Sequence, residues 1–137
     1  MNIILNPFPH LLSYSFFAPT ILRLLLGLIF ISFGFSKVTK EKSAKAEMCE
    51  KIGLKPGLIY VLTFGIIEML SGAMLVLGLY TQIAALAISL ILLGTLLVKK
   101  KHPELFTGEP LFYFTLLIIA LSLLITGAGA HAIDVPL

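Results

Sequence analysis

Two short lysine clusters set in an otherwise apolar chain decide what this sequence can become. Of its ten cationic residues, nine lie between Lys37 and Lys55 or between Lys99 and Lys101. The uncharged stretches around them approach the roughly 20 residues needed to cross a hydrocarbon core about 30 Å thick. An ordinary soluble domain carries about 25% charged residues; here the figure is 12%, against 58% hydrophobic residues and a mean hydropathy of +1.05. Lipid offers no hydrogen bonds to exposed backbone, so each crossing segment must satisfy its own N–H and C=O groups as a helix. The expectation is an all-α membrane protein, a four-transmembrane-helix bundle forming a single membrane domain over residues 1–137.

Hydropathy places the spans at about 18–38, 57–79, 82–98 and 110–126. The connection 39–56 holds five lysines and the connection 99–109 holds three, whereas the turn at Tyr80 and Thr81 holds none. Cations concentrate in cytoplasmic loops. Loops 39–56 and 99–109 are therefore expected in the cytoplasm, with the N- and C-termini outside. A cleaved signal peptide is not expected, because the start lacks a basic segment and Pro7 and Pro9 interrupt its apolar run. Leu5–Phe17 reads either as a segment lying along the outer interface or as a partly ordered tail.

Within the first loop, Glu41–Lys45 and Glu47–Lys51 have the favourable four-residue helical spacing, and Ala44, Met48 and Ile52 share a face. An amphipathic helix on the inner leaflet is predicted, with Gly53 closing it and Pro56 opening the second span.

The same lysines set bounds on partners. A sequence pI of 9.1 invites thoughts of nucleic acid, but the cations sit beside apolar spans and form no extended basic face. The expected partner is the lipid bilayer with its anionic headgroups. Cys49 is the single cysteine, so dithiol chemistry is excluded. His10, His102 and His131 lie outside the spans, which leaves no axial ligand for an intramembrane haem, and no metal site is expected. Phosphate loops, nucleophile elbows and paired carboxylates are absent from the sequence. Catalysis by this chain alone is not expected.

Two ionisable residues do fall inside spans. Arg23 and Glu68 each cost on the order of 2.5–3.5 kcal/mol on insertion scales if nothing compensates them. Arg23, Gly27, Phe30, Gly34 and Lys37 fall on one stripe of the first helix; Val61, Gly65, Glu68, Gly72 and Leu75 fall on one stripe of the second. Small residues allow close approach, so Gly27, Gly34, Gly65 and Gly72 are expected at a packing face that brings Arg23 and Glu68 into the interior. A direct pair competes with a bridge through water or a hydroxyl, since helical side chains lean toward their own N-terminus and would carry Arg23 and Glu68 apart. Either the two fix helix register or they bind a proton or ligand.

The order of these residues resembles the DoxX family of membrane proteins. Arg23-Leu-Leu-Leu-Gly27 with Phe30, Gly34 and Lys37 is similar to the family's opening. Glu68, Gly72, Leu75 and the turn Gly78-Leu-Tyr-Thr81 are similar to its E-x-x-x-G, L-x-x-G-x-x-T core. Gly127-Ala128-Gly129 with Ile133-Asp134 resembles its terminal G-P-G…L-D element, with Ala128 in place of the usual proline. The resemblance implies a four-helix protein of the bacterial inner (plasma) membrane, with Arg23 and Glu68 as the family's characteristic charged residues and Gly127, Gly129 and Asp134 as its C-terminal motif. Some members are subunits of a thiosulfate:quinone oxidoreductase, and a mycobacterial member is tied to oxidative and thiol stress. The implied function is a non-catalytic subunit of a redox or quinone-linked complex, with no covalently bound cofactor; electrons would need a quinone in the bundle or a redox partner protein. Two other functions fit the residues: a small proton-coupled transporter using Glu68, and a membrane scaffold recruiting partners through 39–56. The oligomeric state is open.

Overall fold

A computed structural model describes residues 8–106, 108–130 and 132–133 of the chain. Six α-helices appear in it: α1 (Pro9–Leu12), α2 (Phe17–Val38), α3 (Lys42–Lys51), α4 (Gly57–Leu77), α5 (Thr81–Lys101) and α6 (Pro110–Thr126), with one 3₁₀ turn at Pro103–Leu105. By length and composition α2, α4 and α5 are apolar enough to cross a membrane, and α6 is a shorter apolar helix of 17 residues. At 1.5 Å per residue α6 extends for about 25 Å, somewhat less than a hydrocarbon core about 30 Å thick.

Side-chain placement is that of a bundle dissolved in lipid. Leu28, Ile66, Leu90 and Ile118 face outward, and Ile125 is 83% exposed, while Arg23 and Glu68 are only 2% and 1% exposed. The interior is a stack of Leu26, Phe30, Leu75, Ile88, Leu92, Ala120 and Leu123. Lipid tails are as apolar as leucine, so burial alone gives such helices little reason to associate; close packing must do it. It does so along α2 and α4. A Cβ on Gly27 would stand 2.7 Å from the Gly72 carbonyl oxygen, and one on Gly72 2.6 Å from that of Gly27. Gly34 and Gly65 meet in the same reciprocal way, which makes the helices antiparallel and fixes their register.

α4 ends at Gly78, whose φ of 70° is left-handed; Gly78 N–H donates to Leu75 and Leu79 N–H to Met74. This pattern closes a helix by satisfying its last carbonyls. α5 starts immediately afterwards, and Gln82 Nε2 donates to the Leu124 carbonyl at the end of α6, 3.0 Å away.

Two elements differ from the sequence reading in detail. The helix of the third span continues past Val98: Lys99, Lys100 and Lys101 form its last turn. Lysine is a good helix former, and cations at a helix C-terminus complement its dipole. Lys99 is itself buried, with Nζ 5.4 Å from the centre of the Tyr113 ring. The predicted amphipathic helix forms as α3, with Lys51–Glu47 at 3.1 Å and Lys45–Glu41 at 3.9 Å, and its inward face keeps Met48 and Ile52 but not Ala44. Ala44 is exposed, whereas Lys45, Met48, Cys49 and Ile52 turn inward. The close approach is at Gly57: a Cβ there would collide with the Ala46 backbone, so α3 packs tightly against the start of α4.

Candidate functional site

The bundle has two unlike ends. At the end bearing the α4–α5 turn, the segment after α6 folds back across α2. Arg23 Nη1 donates to the Ala128 carbonyl at 2.9 Å, Thr20 Oγ1 to the Ala130 carbonyl at 2.7 Å, and Ala130 N–H to the Phe16 carbonyl at 3.2 Å. Gly127 and Gly129, at φ of 76° and 73°, supply the left-handed conformations this turn requires. Ala128 is buried in the turn. Asp134, expected from the same motif, lies outside the described residues.

At the lysine-bearing end, Glu68 Oε1 accepts from Lys37 Nζ at 2.5 Å. Arg23 and Glu68 therefore do not form one centre. With Gly34 facing Gly65, Lys37 stands about 9 Å along the axis on the lysine side of Glu68, and Arg23 about 12 Å on the other side. Both helical side chains lean toward their own N-termini, which in this antiparallel pair tips Lys37 and Glu68 together and Arg23 and Glu68 apart. Sequence reasoning put Lys37 on the correct stripe and used this lean to part Arg23 from Glu68. Applied to Lys37, the same rule finds the partner.

The pair borders a cavity of about 740 Å³, lined from α2, α3, α4, α5, the following turn and α6. Phe30, Phe33, Phe64, Phe106 and Tyr113 supply aromatic wall, and Glu41, Lys45 and Cys49 line the cavity at the α3 end. An edge contact from Phe33 to Phe112, 6.2 Å between ring centres, joins α2 to α6 beside it, and Phe112 in turn meets Tyr113 at 5.7 Å. Oε2 of Glu68 has no hydrogen-bond partner among the described residues. Burial pushes the Cys49 thiol up from the ordinary cysteine value, against a smaller opposing effect of Lys37 and Lys45. No group of three or more His, Cys, Asp or Glu side chains that could hold a metal occurs among the described residues.

The glycine seam, Arg23 and the buried glutamate all lie within residues 18–100, which match the family model described as DoxX. The chain belongs to the DoxX family. Among curated proteins, this DoxX chain is similar to "Putative oxidoreductase CatD" of Bacillus subtilis (strain 168), at 32% identity over 83% of this chain and 82% of that one. It is also similar to "Uncharacterized membrane protein Rv3486" of Mycobacterium tuberculosis, at 26% identity over 82% of this chain and 77% of that one. No solved structure matches it significantly. Membership makes the apolar helices those of a multi-pass membrane protein.

Proposed function

We propose that this DoxX-family chain is a bacterial inner-membrane subunit that binds a quinone-like molecule in the cavity beside Lys37 and Glu68 and works with a redox partner protein, without being catalytic alone. The observation that carries the reading is a mostly apolar cavity, within the roughly 300–1,000 Å³ of ordinary ligand sites, with one buried ion pair at its border. Lys37 suits a carbonyl oxygen as a charged donor. Oε2 of Glu68, without a hydrogen-bond partner among the described residues, suits a hydroxyl as an acceptor. The phenylalanine walls suit a flat ring.

A bound quinone would supply paired electron and proton transfer, and the chain's own residues would orient its ring and exchange hydrogen bonds with its oxygens. The word oxidoreductase in the name of the Bacillus relative supports the same direction.

The lysine end, holding loops 39–56 and 99–109, faces the cytoplasm in this reading, with both termini outside. Alkaline phosphatase fused after Leu137 should then be active; inactivity there, with activity when fused in loop 39–56, overturns the orientation. The quinone assignment is tested on protein purified in mild detergent, extracted with organic solvent and analysed by mass spectrometry. Quinone near one equivalent, lost in Lys37→Met, supports it; protein that neither retains nor takes up quinone refutes it.

A further inference from the structure

The wall of the cavity is unequal. α5 contributes Ala84, Ala85, Ile88, Ser89 and Leu92 to the interior, but from Leu93 to Lys101 only Lys99 is buried. Gly94 borders the cavity and is exposed, and a Cβ there would meet nothing within 4 Å. Phe64 and Leu90, likewise cavity-lining, are 39% and 62% exposed. Phe64 lies seven residues into α4 from Gly57, and Gly94 seven residues before the end of α5 at Lys101. Both therefore sit about 10 Å from the lysine end, at the depth of acyl chains. Glu68 is about 6 Å deeper.

We propose that the cavity is loaded from the bilayer, through a gap between α4 and α5 whose edge is Gly94, Phe64 and Leu90. This rests on the quinone-binding reading and narrows the ligand to a lipid-dissolved molecule with a polar ring and a long hydrocarbon tail. The head seats toward Lys37 and Glu68, and the tail remains in lipid across Gly94. Glycine serves here because it leaves the gap open: its missing side chain is the opening. The seam glycines 27, 34, 65 and 72 have the opposite use, since neighbouring backbone fills the place of their side chains.

Cys49, half-buried and lining the cavity, is a natural reporter. The protein is reconstituted in liposomes, and labelling of Cys49 is timed with a lipid-dissolved pyrenyl maleimide and with a membrane-impermeant sulfonated maleimide. Gly94→Phe should fold normally, because the added ring enters open space, and circular dichroism melting checks this. Gly94→Phe should slow the lipid-borne reagent about tenfold while leaving the aqueous reagent unchanged. Leu97→Phe, on the lipid face of the same helix and away from the cavity, should slow neither. Unchanged lipid-borne labelling in Gly94→Phe, or an equal fall for both reagents, overturns the lateral route. The readout involves no quinone: selective slowing in protein that fails to bind quinone sinks the ligand assignment and leaves the route standing.

Discussion

Lys37 and Glu68 form an ion pair across the glycine seam of α2 and α4, although they sit about two turns apart along the bundle axis. The antiparallel register and the shared lean toward each helix's N-terminus bring them together. Glu68 is almost wholly enclosed, whereas the Lys37 side chain keeps 26% exposure. The carboxylate thus depends more on the lysine than the lysine does on it.

Removing one partner should therefore hurt more than removing both. Breaking a buried pair costs roughly 3–5 kcal/mol because one charge is stranded. The partial exposure of Lys37 puts Lys37→Met at or below the low end of that range. Thermal unfolding in detergent should rank native above Lys37→Met/Glu68→Gln, and the double variant above Lys37→Met. A double variant no better than Lys37→Met contradicts the pairing.

The seam predicts opposite outcomes for chemically identical substitutions. Gly72→Ala forces a methyl group against the Gly27 carbonyl and Ile31, an overpacking worth about 1–3 kcal/mol of destabilisation. Gly94→Ala meets open space and gains helix propensity, so it should be neutral or stabilising by up to about 1 kcal/mol. Melting temperatures of the two variants decide between them.

Arg23 governs the opposite end of the molecule. Losing its charged hydrogen bond to Ala128 should cost about 1.5–3 kcal/mol locally. In Arg23→Ala, amide exchange should rise through Gly127–Ala130 and stay unchanged in α3. Equal exchange rises at both ends would mean that Arg23 supports the whole bundle.

Cys49 gives a pH prediction. Its thiol is pushed up by burial, so the folded protein favours the protonated form. The sign follows: this contribution to stability is complete below the unfolded thiol's pKa and is lost as pH rises through the higher folded value. Labelling of the detergent-solubilised protein should have its half-maximal rate at a pH above that of a small-molecule thiol of ordinary pKa, about 8.5. A midpoint at or below the reference places Cys49 in an open, cationic setting.

Much of the frame was legible because lipid imposes simple rules. Helix α6 has the bounds Pro110–Thr126 read for the fourth apolar segment, and α2 those of the first but for Phe17. Proline opening α6 and the lysines closing α5 are local signals; yet those lysines also mislead, since charge ended the hydropathy window at Val98 while the helix ran on to Lys101. The inward face of α3 was legible only in part because it packs against Gly57, on another helix. The cavity was illegible for a related reason: the unsealed half of α5 depends on where its burial stops, at Leu92 apart from Lys99, and hydropathy cannot distinguish a lipid-facing leucine from a cavity-facing one.

The most direct test is equilibrium binding of a long-chain quinone to the protein in lipid nanodiscs, compared among native protein, Lys37→Met, Glu68→Gln and Arg23→Ala. Saturable binding in native protein and Arg23→Ala, weakened about 10- to 100-fold in the other two for loss of one charged hydrogen bond, is the predicted result. No saturable binding in native protein, or equal affinity in all four, contradicts the account.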